Sequence, residues 1–186
     1  MANPLAVWHA EHLNFARLLD LLEEQVGAFH RGERPNYNLM GTVVYYMRNF
    51  CDRVHHPRED IAYARLAERD PGMQVVVNRL QQEHRVIATV GEALLDRLNE
   101  AEGDVVSSRA ALEAAAAMYL VYYRNHLSTE ERHAMPRAAQ LLTEEDWAAV
   151  AAAAPARPDP LFGENVQERF AKLHKQICEE KLSSQD

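Results

Sequence analysis

A chain of 186 residues, 47% of them apolar and with few Gly and Pro, has the size and composition of one packed domain, not of a disordered segment. Its 28 acidic and 20 basic residues give a formal net charge of −8, and no dense cluster of Lys and Arg offers a grip for nucleic acid. Two well-separated cysteines, Cys51 and Cys178, argue against a disulfide framework or a thiolate zinc site and fit a reducing cytoplasm. The start MANPLAVWHAEH lacks the basic region and long apolar run of a secretory signal. The most apolar stretch, Ala114 to Tyr123, is too short to cross a bilayer and runs into Arg124. A soluble cytoplasmic protein without membrane contact is the expectation.

Apolar residues recur at helical spacing through four long segments, and strand-like alternation is nearly absent. The first is predicted from about Pro4 to Arg31, with Asn3 as cap and Pro4 at the first helical position. Trp8, Phe15, Leu18, Leu19, Leu22, Val26 and Phe29 form its apolar stripe, and Gly32 and Pro35 mark its end. The second runs from about Asn38 to Glu68 and is stopped by Asp70-Pro71-Gly72. The third runs from about Met73 to Glu102, ending at Gly103. The fourth begins within Asp104–Ser107 and continues to about Met135, where Pro136 follows. Each would be roughly 42–48 Å long at 1.5 Å per residue, and short connections force neighbours to run antiparallel. The expected fold is therefore all-α, an up-down-up-down four-helix bundle over residues 1–140.

After Gln140 the character changes. Thr143 opens a capping motif before an alanine-rich helix, Trp147 to Ala154, and a linker follows from Pro155 to Pro160. An amphipathic helix from Glu164 to Lys181 would present Val166, Phe170, Leu173 and Ile177 on one face. Residues 141–186 are thus expected to form a helical extension that packs on the bundle or serves self-association as a homodimer.

Histidine is the unusual residue, with nine copies. The first predicted helix carries His12, the second His55 and His56 with Glu59, the third His84, and the fourth His126 with Glu130. His55 and Glu59 are four apart, as are His126 and Glu130, so each pair lies on one helix face and can reach one ion pair. Read along the chain, the pattern is H, HxxxE, H, HxxxE. With the helix directions alternating, all four sets fall in one layer nearer one end of the bundle. Imidazole nitrogens with shared carboxylates suit iron, and also manganese or zinc. Paired ExxH motifs, from which ferritin-type oxidase sites are built, are absent.

The segments AEHLNFARLLDLLEE, VHHPREDIAYARL, QQEHRVIATVGEALLDRL and YRNHLSTEER, in this order across about residues 5–137, resemble the hemerythrin-like HHE cation-binding family. The resemblance implies a non-haem centre of two iron ions with an oxo or hydroxo bridge. Its ligands would be His12, His55, Glu59, His84, His126 and Glu130, with Glu59 and Glu130 as bridging carboxylates. It also implies a small ligand such as O₂, NO or peroxide. The alternatives are a di-iron oxidoreductase acting on peroxide or nitric oxide, and a metal-stabilised regulatory scaffold. The family's oxygen carriers have a second histidine one turn along the third helix, where this chain has Leu80 and Ala88. His56 is the candidate replacement. It points about 100° from His55 on a regular helix, but Pro57 clashes with the carbonyl of Arg53 and should kink or widen the helix there, turning both histidines inward.

The remaining histidines are read as structural. His9 is taken as surface or core, His133 as structural, and His30 and His174 as surface. Tyr122, one turn before His126, is taken as a core-packing residue. Trp8, Phe15, Leu80 and Ile87 are expected to line the site and keep water away.

Overall fold

The computed structural model describes residues 4–102 and 108–183. The expected Asn3 cap, the Gly103 stop and the Asp104–Ser107 start lie outside them. Helix α1 (Pro4–His30) ends where expected. Gly32 adopts φ +76°, its N–H donates to Phe29 O and that of Glu33 to Ala28 O, the paired bonds of a glycine-terminated helix end. Asn36 then caps α2 (Tyr37–Tyr46) by accepting from the Leu39 N–H. A π-helical segment, Met47–His55, follows without a break and leads into α3 (His56–Arg69). Asp70 accepts from the Gly72 N–H in the expected turn. A 3₁₀ turn, Pro71–Met73, then opens onto α4 (Gln74–Glu102). Ser108 caps α5 (Arg109–Thr129), which continues through a second π-helical segment, Glu130–Ala134, into α6 (Met135–Leu141).

These four rods run antiparallel to their neighbours. Along α1 and α5, His12 meets Glu131, Asp20 and Glu23 meet Arg124, and His30 meets Glu113, so residue numbers rise on one as they fall on the other. Asp60 meets His84 and Arg48 meets Glu92 with the same reversal. The protein is an all-α bundle, with no strand among the described residues.

The structure departs from the sequence expectation in the fourth rod, which passes Pro136 instead of stopping before it. Both π segments end two residues before a proline. The N–H of His56 reaches Cys51 O and that of Met135 reaches Glu130 O, each one residue further back than in an α-helix. The wider turn makes room for the rings of Pro57 and Pro136, which lack an N–H and would crowd a regular α turn. The rod bulges locally and goes on.

The extension packs on the bundle. α7 (Glu144–Ala153) has a reciprocal cap: Asp146 N–H donates to Thr143 Oγ1, and Thr143 N–H donates back to Asp146 Oδ2. It lies against α3, where Arg69 Nε meets Asp146 Oδ2 at 2.7 Å and Trp147 meets Trp8 edge-on at 5.4 Å. The presumed linker is tied down as well. Tyr46 O–H donates to Asp159 Oδ2, and Asp159 Oδ1 accepts from the N–H groups of Leu161 and Phe162. The last helix, α8 (Ala171–Ser183), begins later than Glu164, after a 3₁₀ turn at Glu168–Phe170. Phe170 packs against Tyr45 and Tyr46.

Two apolar clusters divide the interior. The larger holds Phe15, Leu18, Leu22, Met40, Val43 and Ile87 among others. The smaller holds Trp8, Ala62, Tyr63, Leu66, Val77, Leu80, Ala134 and Val150. Each fully buried large side chain contributes about 1.5–3 kcal/mol. The histidine layer lies at their boundary: His12 and His55 both meet Phe15 of the larger cluster, and His55 also meets Trp8 of the smaller. No helix among the described residues is long and apolar enough to cross a membrane.

Candidate metal centre

The π segment before Pro57 decides how α3 enters the layer. His55 is 0% and His56 3% exposed, so both neighbouring rings are taken into the interior. The second π segment begins at Glu130, which is likewise 0% exposed. His12, Glu59, His84 and His126 are buried beside them.

Their inner atoms converge. His12 Nε2 lies 2.9 Å from His55 Nε2 and 3.3 Å from Glu59 Oε1, and His55 Nε2 lies 3.0 Å from Glu59 Oε1. On the other side, His84 Nε2 is 3.6 Å from Glu59 Oε2 and 3.6 Å from Glu130 Oε1, and His126 Nε2 is 3.3 Å from Glu130 Oε2. Glu130 Oε2 also reaches His12 Nε2 at 3.6 Å. His56 stacks on His84 with ring centroids 4.1 Å apart. Two sets of potential ligand atoms result: His12, His55 and Glu59 in one, and His56, Glu59, His84 and His126 in the other, each within 4.8 Å. Glu59 belongs to both, and Glu130 spans them.

The outer nitrogens are paired as well. His55 Nδ1 pairs with Glu11 at 2.6 Å, His12 Nδ1 with Glu131 at 2.7 Å, His84 Nδ1 with Asp60 at 2.9 Å and His126 Nδ1 with Glu83 at 3.2 Å. Each acid is the sequence neighbour of an inner residue on the adjacent rod. Glu11 precedes His12, Asp60 follows Glu59, Glu83 precedes His84, and Glu131 follows Glu130. One step along a helix turns a side chain by about 100°, from the interior toward the next rod. The four pairs thus close a ring around the bundle. An imidazole that gives its Nδ1 proton outward presents the Nε2 lone pair inward, the arrangement that metal-binding histidines use.

These contacts set the charges. Burial opposes the charge on His12, but the bond to Glu131 and the nearby Glu59 and Glu130 outweigh it and raise its pKa to about 10. His84 is likewise raised to about 10 against burial, chiefly through Asp60 and Glu130. Burial opposes charge on His55 too, and Glu59 and Glu11 raise its pKa. Glu59 is held well below the usual carboxylate range despite burial, through His55 and His12. His56 is the exception. Burial and the charges of His84 and His126 push it well below the ordinary histidine value. Its partners are looser: Asp52 at 3.5 Å, itself raised to about 7 by burial, and the Tyr123 hydroxyl at 3.4 Å.

Residues 3–138 match the family model for the hemerythrin HHE cation binding domain. The chain belongs to this family. Comparison with curated proteins and with solved structures finds no match. Membership and the buried His/Glu cluster together support metal binding. The donor set fits a cation on its own terms. Glu59 Oε2, His84 Nε2, His126 Nε2 and both oxygens of Glu130 are buried and make no hydrogen bond. Buried polar atoms without a partner are costly, and here they face one another across a gap that a cation would satisfy.

The other sequence assignments divide. Trp8, Phe15, Leu80 and Ile87 are all 0% exposed, as expected of a lining. His9 is exposed and adds a second contact to Glu131 at 3.0 Å. His30 sits at the surface, paired with Glu113. His133 stands in an exposed groove with Arg79 and Arg132, and Tyr122 is 41% exposed, so Tyr122 does not fill the expected core position. The buried stripe of α5 runs through Tyr119, Tyr123 and His126, which puts Tyr123 inside and Tyr122 at the rim. Sequence reasoning missed the outer acids and Tyr63. A signal for Tyr63 exists: His55, Glu59 and Tyr63 recur every four residues on one face.

Proposed function

We propose that this chain is a non-haem di-iron protein that binds or senses O₂, NO or iron at a centre built from His12, His55, His56, Glu59, His84, His126 and Glu130. The observation that carries the reading is the combination of inward Nε2 atoms, each backed by an outer carboxylate, with two buried carboxylates that span both ligand sets. Imidazole with bridging carboxylate is a donor set suited to iron.

Two bridged iron ions would supply reversible binding of a small ligand such as O₂, NO or peroxide, and redox change. The chain's own residues do the rest. Glu59 and Glu130 would bridge, His12 and His55 would serve one ion, and His56, His84 and His126 the other. Glu11, Asp60, Glu83 and Glu131 orient the rings. The apolar clusters above and below exclude water, which favours ligand binding over hydrolysis.

The test is metal analysis of aerobically purified protein, with absorption spectra before and after reduction and on exposure to O₂ or NO. Two irons per chain and a near-ultraviolet oxo-to-iron band are expected. Fewer than about one metal ion per chain, with His12→Ala and His126→Ala unchanged in stability, overturns the reading.

A further inference from the structure

The protein has a formal net charge of −8, yet one groove on its surface is lined by cations and by no carboxylate. It lies between the start of α4 and the end of α5 with its π segment, and its volume is about 370 Å³. Arg79 lines it from α4, and Asn125, Ser128, Arg132 and His133 line it from the other rod. Arg132 and His133 belong to the same π segment as Glu130. Glu130 turns into the buried centre, and these two stand outside it, exposed.

The donors in this groove are free to bind. Arg132 and His133 form no ion pair or hydrogen bond among the described residues, and neither does the Ser128 hydroxyl. Arg79 commits its Nε to Glu83 at 2.7 Å and leaves its terminal nitrogens without a partner among those residues. Glu83, the acid in contact with this set, is itself held by Arg79 and His126. Two guanidinium groups with an imidazole and a hydroxyl suit a tetrahedral oxyanion, which offers several acceptor oxygens. The volume falls in the range of small-molecule pockets and exceeds what a bare oxyanion needs. Val76 adds an apolar side to the same groove.

We propose that this groove binds the phosphate group of a small phosphomonoester, with Arg132 and His133 as its main contacts and Arg79 and Ser128 beside them. The site lies outside the buried His/Glu cluster and does not rest on the di-iron reading.

Glycerol 3-phosphate and inorganic phosphate are the probes, titrated calorimetrically into the full chain as purified, at low ionic strength and neutral pH. One molecule of the ester per chain is expected, bound more tightly than the inorganic ion. Arg132→Gln combined with His133→Asn should weaken it about tenfold or more, with metal content and helical circular dichroism unchanged. Both side chains are exposed and unpaired, so these substitutions do not threaten the fold. Arg169→Gln removes a like charge beside Tyr45, outside the groove, and should leave the affinity as it is. No saturable binding of either probe overturns the proposal. Equal weakening by Arg169→Gln does so too, since it reports net charge and not a site. Affinity that survives the double substitution places the anion elsewhere, the metal centre included, and overturns it as well. Inorganic phosphate bound more tightly than the ester overturns the phosphomonoester and assigns the groove to the free ion.

Discussion

The two halves of the centre are held with different firmness. Around the two-histidine half the outer bonds are short, 2.6 Å from His55 to Glu11 and 2.7 Å from His12 to Glu131. Around the three-histidine half they lengthen, to 2.9 Å for His84–Asp60, 3.2 Å for His126–Glu83 and 3.5 Å for His56–Asp52. Short charge-assisted bonds are the stronger ones. The half with fewer histidines therefore has its rings fixed best. On the proposed di-iron reading, rigid rings beside an apolar wall could not swing to fill a further coordination position.

The severest way to break this division is to remove what the halves share. Glu59→Ala takes a carboxylate from both sets, and metal content measured by elemental analysis should fall toward zero. His12→Ala and His84→Ala should each cost one ion and leave the other. Loss of both ions from either histidine variant would mean that the halves are not separable. Next in size are the outer acids. Glu11→Gln should weaken metal binding about 10–100-fold in a chelator competition, as loss of such a partner does elsewhere. Asp52→Asn should change it far less, because that contact is already long. Equal effects would erase the difference in firmness.

Proton linkage gives a third probe. In the metal-free protein His12 and His84 have pKa values of about 10, against 6.5 for the free side chain. The folded state thus binds these protons more tightly than the unfolded one. The stability they contribute is fully present below about pH 6.5 and is lost as pH rises through about 10. Asp52, raised from 3.8 to about 7, acts in the same direction at lower pH. Thermal unfolding of metal-free protein should occur at falling temperature from pH 6.5 to 10. Metal must displace the inner protons, so binding should release protons and weaken on acidification. A flat or rising unfolding temperature across that range would contradict these charges.

The His/Glu pattern is legible because it depends on spacing within single helices. HxxxE at 55–59 and 126–130 defines a face whatever the neighbours do. The helices were legible for the same reason, with Gly32 and Asp70-Pro71-Gly72 as their stops. The ring of outer acids was not. Glu11 lies beside His12 but serves His55, and that pairing depends on the register between two rods, which periodicity does not set. Pro136 was read as a stop because an α turn cannot hold it. The π segment that admits it, with the Met135 N–H reaching back to Glu130 O, widens the turn so that the rod continues. Pro57 marks a place where the helix should kink or widen, since the clash it creates is local, and a π segment precedes it.

The smallest expected effect lies furthest from the gap and tests whether the halves differ in what surrounds them. α7 reaches the centre on the two-histidine side, through Trp147 on Trp8 and Trp8 on His55. Asp146 anchors it, bonded to Thr143 within the cap and to Arg69 and Arg65 on α3. The Arg69 bond holds the Asp146 carboxyl below the usual range, so its contribution is present above the unfolded carboxylate value and is lost only as pH falls below it. α7 should stay docked through neutral and mildly acidic conditions. Asp146→Ala removes the bond from the Thr143 N–H and both arginine contacts, the lost hydrogen bond alone costing about 0.5–1.5 kcal/mol. Tryptophan fluorescence should report a loosened Trp147–Trp8 pair. Metal titration should then show a modest weakening of one ion and no change in the other. If both weaken together, α7 supports the bundle end as a whole, and the separate surroundings of the two halves do not matter to their occupancy.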